Sequence, residues 1–236
     1  MKNKICLIAG SNCETALAIA NRFQEEYHLI LCWHKNSDRI QDLLKQKEVD
    51  SFCGDLSNEE QCRKIMEECR NRFTRIDVII NCIGKNNKEN NNITEEIWDD
   101  VMSNNLKPAF FLSKYYWKYF YEDKSSDCQG CMIHIASTAG INPAPSSPHY
   151  VVAKAGVIAL AKYFAKTMTP YVRVNVIAPC YIETSNHKDA KYDKVRNSNP
   201  LKRFVTTEEV AETAAYITEC TYLNAQTIVL DGGMIS

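Results

Sequence analysis

The apolar positions of this 236-residue chain fall into short, nearly continuous runs separated by longer stretches of helical period. Runs such as "KICLIA", "IDVIIN" and "VRVNVI" are too solidly apolar for a sheet with one wet face, and read as strands covered on both sides. Strands are expected over 4–9, 28–33, 49–53, 76–81, 130–136, 172–178 and 226–231. Between them the apolar spacing predicts helices over 14–26, 37–46, 58–73, 94–122, 149–169 and 206–219. "SNEE" at Ser57 and "TTEE" at Thr206 put a capping side chain and early acids where two of these helices begin. Alternation of this kind implies an α/β fold: a doubly wound parallel sheet of about seven strands, helices on both faces and right-handed crossovers. No repeat or linker breaks the pattern, so 1–236 reads as a single domain.

Composition narrows the function. A formal net charge of -1 gives no electrostatic footprint for nucleic acid. The first apolar run is too short for a signal sequence, and no later stretch is long and apolar enough to cross a bilayer. A cytoplasmic protein without membrane partners is expected. The 11 cysteines are scattered, several inside strand-like runs (Cys6, Cys32, Cys53, Cys82), where a reduced thiol acts as a small hydrophobe. Cys128 and Cys131 form an isolated C-x-x-C, read as loop and strand-start filler, with a redox pair or half a metal site as alternatives. The five histidines lack metal-ligand spacing, so no metal is expected; His134 reads as structural and His149 as a surface residue. The Asn-rich stretch from Gly84 to Glu96 reads as a solvated loop, ligand contact being the alternative. "FFLSKYYWKYFY", from Phe110 to Tyr121, holds more aromatics than one thin core face takes. A homo-oligomer, dimer or tetramer, is expected, with a heteromer left open.

The chemistry concentrates in "SPHYVVAKAG", from Ser147 to Gly156. Tyr150 and Lys154 are four residues apart and share one helix face. An ammonium beside a phenol favours the phenolate, which suits a tyrosine for acid–base work near neutral pH. "IHIASTAG" ends a strand at Ser137, placing a hydroxyl at the carboxyl edge of the sheet, where open α/β folds bind ligands.

These residues, with "MSNNLKPAFF" upstream, resemble the short-chain dehydrogenase/reductase family, and the likeness runs from Lys4 to the C-terminus. The resemblance implies a Rossmann-like dinucleotide-binding and catalytic domain. It implies Tyr150 as general acid/base, Lys154 on the nicotinamide ribose, Ser137 on the substrate carbonyl and Asn105 in a proton relay. It also implies cofactor contacts at Asp55 and Leu56 in "GDLSNEE", at Asn81 and Gly84 in "NCIG", and at Pro179, Ile182 and Thr184 in "NVIAPCYIET". "NPLKRF", "EEVAETAAYIT" and "TIVLDGG" are similar to 3-oxoacyl-carrier-protein reductases, so the expected substrate is a small-molecule or carrier-bound ketone, under a short lid at about 185–205. Open alternatives are a reductase of another ketone or alcohol, such as a sugar or steroid, a non-catalytic relative, and a subunit needing a partner chain.

The first strand–helix turn departs from the family's glycine pattern. Gly10 remains, followed by Ser11, Asn12, Glu14 and Thr15, with Glu14 and Ala16 where glycines are usual. A carboxylate about 5 Å from a diphosphate charge costs roughly 3 kcal/mol at an effective dielectric of about 20. Only about 0.3–1 kcal/mol returns from the helix dipole. Glu14 must therefore turn away, to solvent or a basic partner, if a dinucleotide is to bind well. At the end of the second strand, "LILCWHKNSDRI" offers His34 and Lys35 and no acid to accept from a ribose 2′-hydroxyl. That favours NADP(H) over NAD(H), a solvated charged turn being the alternative.

Overall fold

The computed structural model describes residues 4–86, 92–123, 129–143, 146–187 and 189–235. Cys128 and residues 87–91 of the Asn-rich run lie outside them. Seven strands form: β1 (Lys4–Ala9), β2 (Tyr27–Trp33), β3 (Val49–Cys53), β4 (Val78–Asn81), β5 (Gly130–Ile135), β6 (Val172–Pro179) and β7 (Thr227–Leu230). They make one sheet in the order β3-β2-β1-β4-β5-β6-β7, every neighbouring pair parallel. The chain leaves β3 at one edge and re-enters as β4 beside β1, so the winding direction reverses between those two strands. Crevices at such reversals, outside the carboxyl ends of the strands, are where open α/β sheets hold ligands.

Among the described residues, α1 (Glu14–Phe23), α2 (Glu59–Arg72), α3 (Glu95–Phe120), α4 (Pro148–Thr167) and α6 (Thr207–Glu219) cover the sheet, while the short α5 (Asp193–Ser198) buries none of its residues and belongs to the segment after β6. Side chains alternate across each strand, which explains the solid apolar runs. Cys6 and Ile8 of β1 join Leu29 and Leu31 of β2 under α1 and α6, while Leu7, Ile30 and Ile79 face the α2–α4 layer. Helix starts are fixed by side chains: Asn58 accepts from the Gln61 amide at 3.1 Å, and Thr206 and Glu209 form a reciprocal capping box.

One expectation changes. The segment 37–46 forms two 3-10 turns, Asp38–Ile40 and Leu43–Lys45, rather than an α-helix. Ile40 and Leu43 are buried and Leu44 packs partly buried beside them, and the Arg39 amide is bound by Asn12 of the first turn at 2.9 Å. Three anchors are too little apolar contact to hold a short helix in water. The aromatic run 110–121 divides, as its density predicts: Phe111, Trp117 and Tyr119 are only partly buried, while Tyr115, Tyr116, Phe120 and Tyr121 are buried, with the hydroxyls of Tyr116 and Tyr121 donating to the Ile76 carbonyl. Gly130 makes this possible, since a Cβ there would run into both hydroxyls. Phe110 stays exposed on α3, as do Val152 and Tyr163 on α4. No helix among the described residues is long and apolar enough to cross a membrane.

Candidate active site

Ser137 follows β5 and caps a 3-10 turn, Thr138–Gly140, its Oγ accepting from the Ala139 amide at 3.2 Å. A Cβ on Gly140 would lie 2.7 Å from the α4 backbone at Lys154 and Ala155, so this turn presses directly on the helix. That contact sets Ser137 against Tyr150, one turn earlier on α4, and the two side chains are hydrogen-bonded. Burial pushes the Tyr150 phenol up, and the Ser137 bond offsets part of the rise. The expected lowering by Lys154 is therefore not what dominates here. Lys154 is buried, donates to the Ile135 carbonyl at 3.1 Å, and its Nζ stands 5.7 Å from the Tyr150 ring centre. Burial pulls its pKa down to about 8, against a smaller upward pull from the Cys82 and Cys13 thiols.

Asn105 completes the cluster from α3. Its amide donates to the Lys85 and Val101 carbonyls at 2.7 and 2.8 Å, and its oxygen accepts from the Lys85 amide at 3.2 Å. Gly84 lies against both Asn105 and Lys154: a Cβ there would stand 3.1 and 2.8 Å from their polar atoms. The turn after β4 is thus folded onto the base of the cleft. Asn81 holds it from below, accepting from the Ile83 amide at 3.1 Å and donating to His134 Nδ1 at 3.2 Å. His134 Nε2 faces Ser113 Oγ at 3.3 Å, and Ser113 donates to the Ala109 carbonyl at 2.7 Å. Burial, helped by the Lys154 charge, pulls the imidazole down to about 3, so His134 is a neutral structural residue. His149 is buried too, not on the surface.

Around the first turn, Gly10 takes φ +77°, a conformation that glycine adopts without strain. Its amide and that of Ser11 both donate to the Cys32 carbonyl, as does the buried Ser11 hydroxyl, so Ser11 locks the turn to β2. Asn12 reaches sideways to Asn36 and Arg39, and Thr15 is buried in the first turn of α1. Glu14 turns neither into bulk solvent nor to a cation alone. Its carboxylate sits 3.5 Å from Arg39 Nη2 and accepts from the Ser185 amide at 3.0 and 3.2 Å and from the Ser185 hydroxyl.

Beside this turn lies a cavity of about 190 Å³ lined by Gly10, Trp33, His34, Asp55, Leu56 and Ile83, among others. Asp55 accepts from the Ser57 amide and hydroxyl at 2.9 and 2.7 Å. Burial works to raise its carboxyl, but these bonds and the nearby His34 and Lys35 charges win and hold it low. The Trp33 indole N–H is buried with no partner among the described residues. A glycine turn at the winding reversal and an adjoining cavity fit the adenosine half of a dinucleotide. Pro179 ends β6; beyond it, Ile182 bridges to Val205, and Thr184 Oγ1 and the Ile182 carbonyl both meet His187 Nδ1, at 3.2 and 2.8 Å. Around this stretch Tyr181 is stacked on Phe204 and His187 is edge-on to Tyr192. A larger cavity, about 490 Å³, opens between the ends of β6 and β7 and the start of α6, and its lining includes none of Ser137, Tyr150 or Lys154.

Sequence reasoning passed over Trp33 and Ser185. Each is the immediate neighbour of a predicted residue, His34 and Thr184, and neither type carries a motif.

The comparisons with known proteins agree with this geometry. A family model described as enoyl-(acyl carrier protein) reductase matches residues 14–235. Relatives include the 3-oxoacyl-(acyl-carrier-protein) reductase FabG of Thermotoga maritima, 28% identical with 100% of this chain and 99% of that protein covered. The Staphylococcus epidermidis enzyme of the same name is 29% identical, over 98% and 99%. Among solved structures, a short chain dehydrogenase from Bacillus anthracis superposes with a TM-score of 0.86 at 27% identity, covering 98% and 96%. An actinorhodin polyketide ketoreductase with NADPH has the same fold, with a TM-score of 0.88 at 22% identity over 99% of each chain. Matched along nearly its whole length, the chain belongs to the short-chain dehydrogenase/reductase family of oxidoreductases.

Proposed function

We propose that this protein reduces a ketone to an alcohol with NADPH, most fittingly a 3-oxoacyl thioester, free or carrier-bound. The observation that carries the reading is the hydrogen-bonded Ser137–Tyr150 pair over a buried Lys154 at the carboxyl edge of the sheet. When bound, the nicotinamide supplies the hydride that reduces the carbonyl carbon. The chain's own groups do the rest. Ser137 Oγ orients the carbonyl oxygen, and Tyr150 gives that oxygen its phenolic proton as negative charge develops there. The Lys154 ammonium, close to the ring, stabilises the phenolate left behind until solvent restores the proton. Asn105, anchored on the Lys85 backbone at the floor of the cleft, helps to restore that proton through water.

Preference for the 2′-phosphate cofactor rests on His34 and Lys35 at the end of β2, where no carboxylate follows the strand directly. The thioester substrate rests on the names of the full-length relatives. A steady-state panel tests both. NADPH should outperform NADH, and a 3-oxoacyl thioester should outperform free sugars, steroids and simple ketones. Faster turnover of a sugar or steroid would reassign the substrate, and an NADH preference would reassign the cofactor.

A further inference from the structure

Glu14 and Ser185 are 171 residues apart, yet they form the tightest polar contact between the first turn and the segment after β6. In the sheet, β1 and β6 are separated by β4 and β5. A link from the start of α1 to Ser185 therefore runs across the carboxyl ends of β4 and β5, over the crevice between the glycine turn and Lys154. The donors it uses are an amide and a hydroxyl, both suited to a phosphate oxygen, and the group accepting from them is an anion. Arg39 supplies a cation to the same carboxylate, and also reaches the Asn12 carbonyl at 3.5 Å. A carboxylate with two hydroxyl and amide donors and one guanidinium is, in charge and geometry, a built-in stand-in for a diphosphate. The segment it holds is itself packed: Tyr181, His187, Tyr192 and Phe204 form one aromatic cluster, and Arg196 lies 4.8 Å from the Phe204 ring centre. What Glu14 grips is thus a preformed unit.

We propose that Glu14 is the residue that sets cofactor affinity in this protein: its carboxylate latches Ser185 across the crevice, and a dinucleotide diphosphate must displace it to reach the same donors. This rests on the nicotinamide-cofactor reading above. Binding then exchanges one anion for another, so net affinity is lower than the remaining site would give. The segment after Thr184 is ordered before the cofactor arrives and is handed from carboxylate to diphosphate.

The test compares wild type with Glu14→Gln, which keeps the shape and removes the charge, and Glu14→Ala, which removes the latch. NADPH fluorescence titration should give dissociation constants roughly 10- to 100-fold lower in both variants, the scale of one like-charge contact at a few ångströms. Hydrogen exchange on the protein without added nucleotide should show the Ser185 amide protected in wild type and faster in Glu14→Ala. Unchanged or weaker NADPH binding in both variants, with wild type binding normally, overturns the latch and leaves the cofactor reading standing. Equal Ser185 exchange in all three proteins also overturns it. Absence of NADPH and NADH binding in wild type and variants alike overturns both.

Discussion

Lys154 meets two opposing demands. Its charge is useful beside Tyr150, but burial makes that charge expensive and pulls the ammonium down to about 8. In the unfolded chain the same side chain titrates near its ordinary value of about 10.4. Between these values the unfolded state binds more protons, so folding stability rises with pH across that window. Below about pH 8 the cost is fully present; above about pH 10.4 it is gone. Replacing the lysine with an uncharged chain removes the cost at all pH values. Urea denaturation of Lys154→Met should therefore show its stability advantage over wild type shrinking by about 3 kcal/mol between pH 7 and pH 10.4. A gap that stays constant across that window would mean Lys154 keeps an ordinary pKa. At the same scale, Glu14 shows what a motif cannot give: its identity was legible as a departure, but its direction depended on Ser185, far away in sequence.

At the scale of elements, the site is made by two turns folded onto one helix. The turn after β4 lies on Lys154 through Gly84, and the turn after β5 lies on the α4 backbone through Gly140. Gly140→Ala should force that second contact apart, since the obstructing atoms are main chain and cannot rotate away. The expected cost is about 1–3 kcal/mol of stability, together with a fall in turnover as Ser137 and Tyr150 separate. Urea denaturation and kcat measured on the same preparation would check this, and wild-type values for both would refute the packing argument. Most elements were readable from period alone. The strands β1 and β3 fall where the sequence puts them, and β1 does so because a strand buried on both faces leaves an unambiguous apolar run. The segment 37–46 was not readable, because its apolar spacing matches a helix while only Ile40 and Leu43 are fully buried, with Leu44 partly so. In the aromatic run of α3 the excess over one core face was legible, but the pocket for Tyr116 and Tyr121 was not, because Gly130, which makes room for it, lies on β5.

For the molecule as a whole, the sheet order explains why residues from 10 to 187 converge. Reversal of winding between β1 and β4 opens one crevice, and the carboxyl ends of β1, β2, β4, β5 and β6 all empty toward it. The tyrosine and lysine stood out in the sequence by their spacing and the serine by its strand end, whereas the asparagine came only with the family resemblance. The packing around the segment after Thr184 was not legible, since it comes from scattered aromatics (Tyr181, Tyr192 and Phe204) rather than a motif. The central claim is that Tyr150 delivers a proton to a ketone as hydride leaves a bound nicotinamide. Single-turnover stopped-flow oxidation of NADPH with a 3-oxoacyl thioester tests it, comparing wild type with Tyr150→Phe. The account predicts a rate roughly 100- to 10,000-fold slower in the variant, with the NADPH dissociation constant nearly unchanged; equal rates in the two proteins would contradict it.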